Sequence, residues 1–204
     1  MSFVRSIFAG LVLSTLALIG PADASADAGS GAMDTFKTRH GAVIQLIKSK
    51  ADSAKLEAEV DSLLDYHALA ETSLGGPRRF AKRCESRCDE FEVLLTRLIR
   101  ENYLRRIRTD KEYELTYAGE EKRPRHHRVI TQIKHTKNGK EEVIEVVYVM
   151  HEVGDAWQVI DIITEGVSLA KNYKYEFNKI LKDKGIDELI LRLDKKLAEL
   201  AKKG

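Results

Sequence analysis

The spacing of apolar side chains along this chain changes period twice, from about 3.6 to 2 near residue 111 and back again beyond residue 166. A helix repeats its faces every 3.6 residues and a strand every two, which confines the chain to helices, then a sheet, then helices. Before the first switch, residues 33–50 carry Val43, Ile44, Leu46 and Ile47, and residues 53–69 carry Leu56, Val60, Leu63, Leu64 and His67. Both spacings leave a charged opposite face, so two amphipathic helices are predicted. Gly75-Gly76-Pro77 breaks the pattern. Phe91, Leu94, Leu95, Leu98, Ile99, Tyr103 and Ile107 then form a stripe along one helix from about Cys84 to Arg106, wide enough to face a core or a ligand cavity.

In the middle region Tyr113, Leu115 and Tyr117 alternate with Glu112, Glu114 and Thr116, as on a strand with one buried face. Runs 128–136, 141–150 and 156–163 follow, separated by Lys137-Asn138-Gly139-Lys140 and by Glu152-Val153-Gly154-Asp155. Asn-Gly between alternating runs is a strong hairpin signal, and four sequential strands on short turns make an antiparallel meander. In the third run Ile144, Val146, Tyr148 and Met150 share one face while Val143, Val147 and Val149 share the other, which predicts a central strand covered on both sides. Downstream, Tyr173, Phe177, Ile180 and Leu181 form one helical stripe; Gly185 interrupts, and Ile186, Leu189, Ile190, Leu193, Leu197 and Leu200 form another. The predicted class is α+β: a curved antiparallel sheet of about four strands making a cone with helices (about 33–107 and 167–201) packed on the sheet (about 111–164).

The amino terminus has a different character. One positive charge in residues 1–5 precedes an apolar run over 7–19, too short to span a bilayer of roughly 30 Å. Pro21 and the small residues Ala22, Ala24, Ser25, Ala26 and Ala28 follow and offer small-x-small cleavage frames, so residues 1–28 read as a signal peptide and 29–204 as a single exported domain. Without the leader the formal charge is +3, too small to argue for nucleic acid. The positive charge is local: Arg78, Arg79, Lys82, Arg83 and Arg87 in one cluster, Lys122, Arg123, Arg125, His126, His127 and Arg128 in another. Each reads either as a solvated face or as a surface for anionic headgroups or an acidic partner.

Catalytic signatures are missing from the sequence. It has no Gly-x-Ser-x-Gly elbow, no phosphate-binding Gly-x-x-x-x-Gly-Lys loop and no His-Glu-x-x-His pair. His126 and His127, adjacent on a strand, would point to opposite faces and could not chelate one ion together. Cys84 and Cys88 stand four apart in a stretch of helical pattern; a bridge within one helix would be marginal, and further metal ligands at short spacing are missing. No metal, no cofactor and no enzymatic activity are expected.

The run from Trp157 to Leu169, with Asp161, Gly166 and Ser168 inside it, followed by Asn172-Tyr173, Phe177, Lys184-Gly185-Ile186-Asp187 and Leu189, resembles the signature of the MlaC or toluene-tolerance family. Val146-Val147-Tyr148 and the segment 66–76 fit as well, and the likeness covers most of residues 35–200. It implies a cystatin- or nuclear-transport-factor-like cone whose helices enclose lipid tails. It also implies a periplasmic shuttle of phospholipid, or of a hopanoid or other lipid, working between an inner-membrane ABC transporter complex with its lipid-binding ring and an outer-membrane lipoprotein complex. A non-catalytic periplasmic adaptor is the alternative. On this reading the shared faces nominate Leu98, Tyr103, Ile107, Tyr113, Leu115, Ile144, Val146, Tyr148, Tyr173 and Phe177 as lipid lining, and Arg78, Arg79, Arg83, Arg123 and Arg125 as a rim or docking surface. Trp157, Asp161, Gly166 and Ser168 read as architectural.

Overall fold

The structure is a computed structural model that describes residues 31–108 and 113–202. The expected signal peptide and its cleavage frames lie outside the described residues. Helix α1 (Ala32–Lys48) buries Ala32, Phe36, His40 and Val43, one helical stripe. α2 (Ser53–Leu63) starts at Asp52, whose side chain accepts a hydrogen bond from the Ala54 amide at 2.8 Å. The second helix expected over 53–69 is in fact two. Leu64 is extended and bridges to Val159, the Asp65 amide donates to the Val159 carbonyl at 2.9 Å, and the Asp65 carboxylate caps α3 (Tyr66–Ser73) by accepting from Ala68. A long-range bridge together with a new N-cap outweighs the few tenths of a kcal/mol per residue that helix propensity supplies.

Pro77 opens α4 (Pro77–Cys84), where its missing amide costs no helical bond. A 3-10 turn (Glu85–Arg87) then leads into α5 (Cys88–Ile107). The expectation of one helix running on from Cys84 is therefore corrected: Glu85 takes a positive φ of 53° and breaks it. The break brings the Cα atoms of Cys84 and Cys88 to 4.7 Å, and the two cysteines form a disulfide that the reading as a single helix had made marginal.

Strands β1 (Tyr113–Arg123), β2 (His126–Lys137), β3 (Lys140–Val153), β4 (Ala156–Thr164) and β5 (Val167–Ser168) pair antiparallel in sequence order. Asn138 and Gly139 both take the positive φ that a two-residue primed hairpin turn requires. The sheet has one strand more than the meander expected, a two-residue edge beyond β4. β3 is flanked by β2 and β4; on its outer face Val147 and Val149 are buried, whereas Val143 near the hairpin is 52 % exposed, so cover there is partial. Register shifts between Tyr117 and Gly119 and between Val149 and Met150 mark bulges, which bend a sheet.

Ser168 caps α6 (Leu169–Ala201), accepting from the Lys171 amide at 3.1 Å. Gly185 (φ 76°, ψ −174°) interrupts it. Before the break Phe177 meets Phe91 and Asn178 meets Arg83; after it Asp187 meets Arg87, and the Leu200 carbonyl accepts from Arg105. The two halves of α6 thus run along α5 in opposite directions. All helices except the 3-10 turn share one apolar core with the inner sheet face, from Ala32 to Leu197. Each fully buried Leu or Phe in it contributes roughly 1.5–3 kcal/mol. Among the described residues no helix is long and apolar enough to cross a membrane.

Candidate functional site

The inner face of the sheet is set by register. Tyr113, Leu115 and Tyr117 stand across from His135, Ile133 and Thr131, and these from Glu142, Ile144 and Val146, with Val129 opposite Tyr148. Directly paired residues point to the same side. The five strand residues nominated from sequence therefore share one face. α1 lies over its buried end: the Phe36 ring is 4.1 Å from that of Tyr148 and meets Tyr117 edge-on at 6.2 Å. His40 stacks on Phe36 at 5.0 Å, and its Nδ1 lies 3.4 Å from the Tyr117 hydroxyl. Only 3 % of His40 is exposed, and burial lowers its pKa to about 4, so the imidazole is neutral at pH 7.

The helices supply the opposite wall. Leu98 and Tyr103 on α5 and Phe177 on α6 are buried, while Ile107 and Tyr173 are half-buried against them. Tyr173 stacks on Phe177 at 5.2 Å. Tyr113 and Leu115 are also half-buried, at the outer end of the sheet face beyond the packed cluster. Burial raises the phenols of Tyr103, Tyr113, Tyr117, Tyr148 and Tyr173, which remain protonated, neutral hydrogen-bond donors. Two buried polar atoms have no partner among the described residues: the Tyr103 hydroxyl and Nδ1 of His135.

The nominated arginines do not gather at this end. Arg83 bonds Asn178, and Arg79 and Arg83 fold over Gly75, all before the first turn of α5; Tyr103 and Ile107 lie in its last turns. Along α5, Cys88 and Tyr103 are 15 residues apart, about 22 Å, whereas along α6 Asn178, the partner of Arg83, is five residues, about 7.5 Å, from Tyr173. Arg123 pairs with Glu121 at 3.1 Å and Arg125 is exposed at the β1–β2 turn, an 11-residue strand away from Tyr113. Lys37 Nζ lies 5.5 Å over the Tyr117 ring, and the charge of Arg106 acts on both Tyr148 and Tyr173. Sequence reading missed Arg106, along with Phe36 and His40. The signals were present: Ala32, Phe36 and His40 recur every four residues, and Arg106 follows Tyr103 by three, one turn on.

Surface clefts of about 460 and 260 Å³ lie elsewhere, the first lined by Asp89, Glu92 and Arg100 among others, the second by Lys82, Arg83 and Lys182 among others. Asp161 accepts from the Ser168 hydroxyl and from the Ala170 amide, tying the end of β4 to the cap of α6. His127 bonds Glu120 at 2.6 Å and packs on Trp157 at 4.3 Å. Among the described residues no cluster of three His, Cys, Asp or Glu side chains could hold a metal ion. The arrangement offers an apolar interior with neutral phenol donors, and Lys37 and Arg106 act on them.

A family model described as MlaC protein matches residues 39–195. A solved structure similar to this one is that of the phospholipid-binding protein from Ralstonia solanacearum in complex with a phospholipid; it is 21 % identical, with a TM-score of 0.69, covering 84 % of this chain and 99 % of that one. No curated protein matches the sequence significantly.

Proposed function

The chain belongs to the MlaC family, and we propose that it is a phospholipid carrier that shields acyl tails between the inner face of its sheet and helices α1, α5 and α6, performing no chemistry on them. The observation that carries this reading is the single apolar face running from Ile144, Val146 and Tyr148, on which Phe36 packs, onto Leu98, Tyr103 and Phe177. A diacyl lipid has roughly 30 methylenes at about 0.8 kcal/mol each, so a carrier must replace some 20 kcal/mol of hydrocarbon contact. A continuous apolar wall does that. The Ralstonia protein of this fold holds a phospholipid, which supports the same cargo here.

Export to the periplasm is supported by the leader pattern in residues 1–28 and by the Cys84–Cys88 bridge, which persists in oxidising compartments. There the carrier would shuttle lipid between an inner-membrane ABC transporter complex and an outer-membrane lipoprotein complex. The basic clusters around Arg78, Arg79 and Arg83 and around Arg123 and Arg125 suit docking to those partners.

Organic extraction of the purified protein and mass spectrometry test the carrier reading. About one phospholipid per chain is expected; a lipid-free protein that takes none up from vesicles would overturn it. The variant that maps the lining is Ile144→Asp, because Ile144 is half-buried, whereas Val146, 6 % exposed in the central strand, could not take a charge without loss of the fold. Ile144→Asp is expected to remain folded and to lose most of its lipid.

A further inference from the structure

Buried donors in folded proteins are nearly always paired, so one left alone calls for a reason. Tyr103 is 6 % exposed, and its hydroxyl has no acceptor among the described residues. It is not a remote accident of packing. It sits in the apolar core on the α5 stripe that includes Leu98, Ile99 and Ile107, within electrostatic reach of Tyr148, Tyr117 and Tyr113 on the sheet face. A phenylalanine would fill the same volume without leaving a donor unpaired.

We propose that the Tyr103 hydroxyl is the recognition point for an acyl ester carbonyl of the cargo, and that it makes this carrier selective for diester over diether lipids. The inference rests on the carrier reading above. A phenol that is buried needs a neutral acceptor, since a phosphate at the same depth would lose its hydration without a matching countercharge. An ester carbonyl is neutral, accepts one hydrogen bond, and lies where the acyl tails join glycerol. Arg106 stands three residues, about 4.5 Å, further along α5 and is exposed, so the phosphate beyond the glycerol would meet a cation in water while the ester stays inside. An ether oxygen at the same position is a poorer acceptor and would leave the phenol unmatched.

The experiment compares two phosphatidylethanolamines of equal chain length, one with ester and one with ether linkages, competing for the delipidated chain. Wild type is expected to prefer the diester roughly three- to tenfold, the range of one hydrogen bond. Tyr103→Phe, which keeps the ring and the packing, is expected to bind both equally. Tyr117→Phe, whose hydroxyl already lies beside His40, is expected to keep the preference. No preference in wild type, or the same preference in Tyr103→Phe, overturns the proposal while leaving the carrier reading intact. Failure of wild type to bind either lipid overturns both.

Discussion

His40 shows how one side chain ties the interior to pH. Its imidazole lies between Phe36, Tyr148 and the Tyr117 hydroxyl, and burial holds its pKa at about 4 against an ordinary 6.5. Between those values the unfolded chain binds a proton that the folded chain does not. Stability therefore falls as pH drops from about 6.5 to 4, by roughly 3 kcal/mol in all, and this contribution is flat above and below. Urea unfolding at pH 7.5 and 4.5 is expected to show His40→Leu losing about 2–3 kcal/mol less than wild type over that interval. Equal losses in the two proteins would mean that His40 is not held neutral. Its position on the inner stripe of α1 was readable from the four-residue recurrence with Phe36; its protonation was not, because that depends on β1 and β3, some 75 to 110 residues away.

Gly185 decides the path of α6. Its φ of 76° with ψ of −174° belongs to a region that essentially only glycine occupies, and a Cβ built there would touch nothing within 4 Å. The strain of Gly185→Ala is thus conformational rather than steric against neighbours, about 1–3 kcal/mol. A lower urea midpoint with an unchanged slope is the expected result; an unchanged midpoint would show that the reversal of α6 does not need this backbone conformation. The two apolar stripes on either side of Gly185 were legible as separate segments. Their opposite directions along α5 were not, since stripes specify which side of a helix is buried and not what it is buried against. The same limit applies to α2 and α3, whose boundary at Leu64 and Asp65 is made by a bridge to Val159.

Taken together, the two basic clusters lie on α4 and at the β1–β2 turn. Arg78, Arg79 and Arg83 stand on α4, Arg83 lining the cleft with Lys82 and Lys182, while Arg123 and Arg125 project from the β1–β2 turn. Exposed charges act over a Debye length of about 8 Å at physiological salt, so docking through them is salt-sensitive. Reversal of Arg78, Arg79 and Arg83 to Glu, and separately of Arg123 and Arg125, is expected to slow lipid delivery to anionic acceptor vesicles and to flatten its dependence on salt. Delivery unchanged at every salt concentration in both variants would leave these arginines as solvated faces. Their clustering was plain in the sequence. How they sit relative to the tyrosines became visible only in the fold: Arg83 bonds Asn178, five residues along α6 from Tyr173, and Arg125 stands four residues before Val129, the partner of Tyr148.

Periodicity alone determined the order of helices, sheet and helices, the Asn138-Gly139 hairpin, and the shared face of Tyr113, Leu115, Ile144, Val146 and Tyr148, because each follows from backbone geometry acting over a few residues. The break at Glu85 that allows Cys84 to reach Cys88, the pairing of Leu64 with Val159, the neutral state of His40, the unpartnered hydroxyl of Tyr103 and the approach of Arg106 to Tyr148 and Tyr173 depended on folding in three dimensions. Each of these is set by competition between local preference and contacts, burial or charge supplied by other elements, and a linear pattern carries no record of that competition.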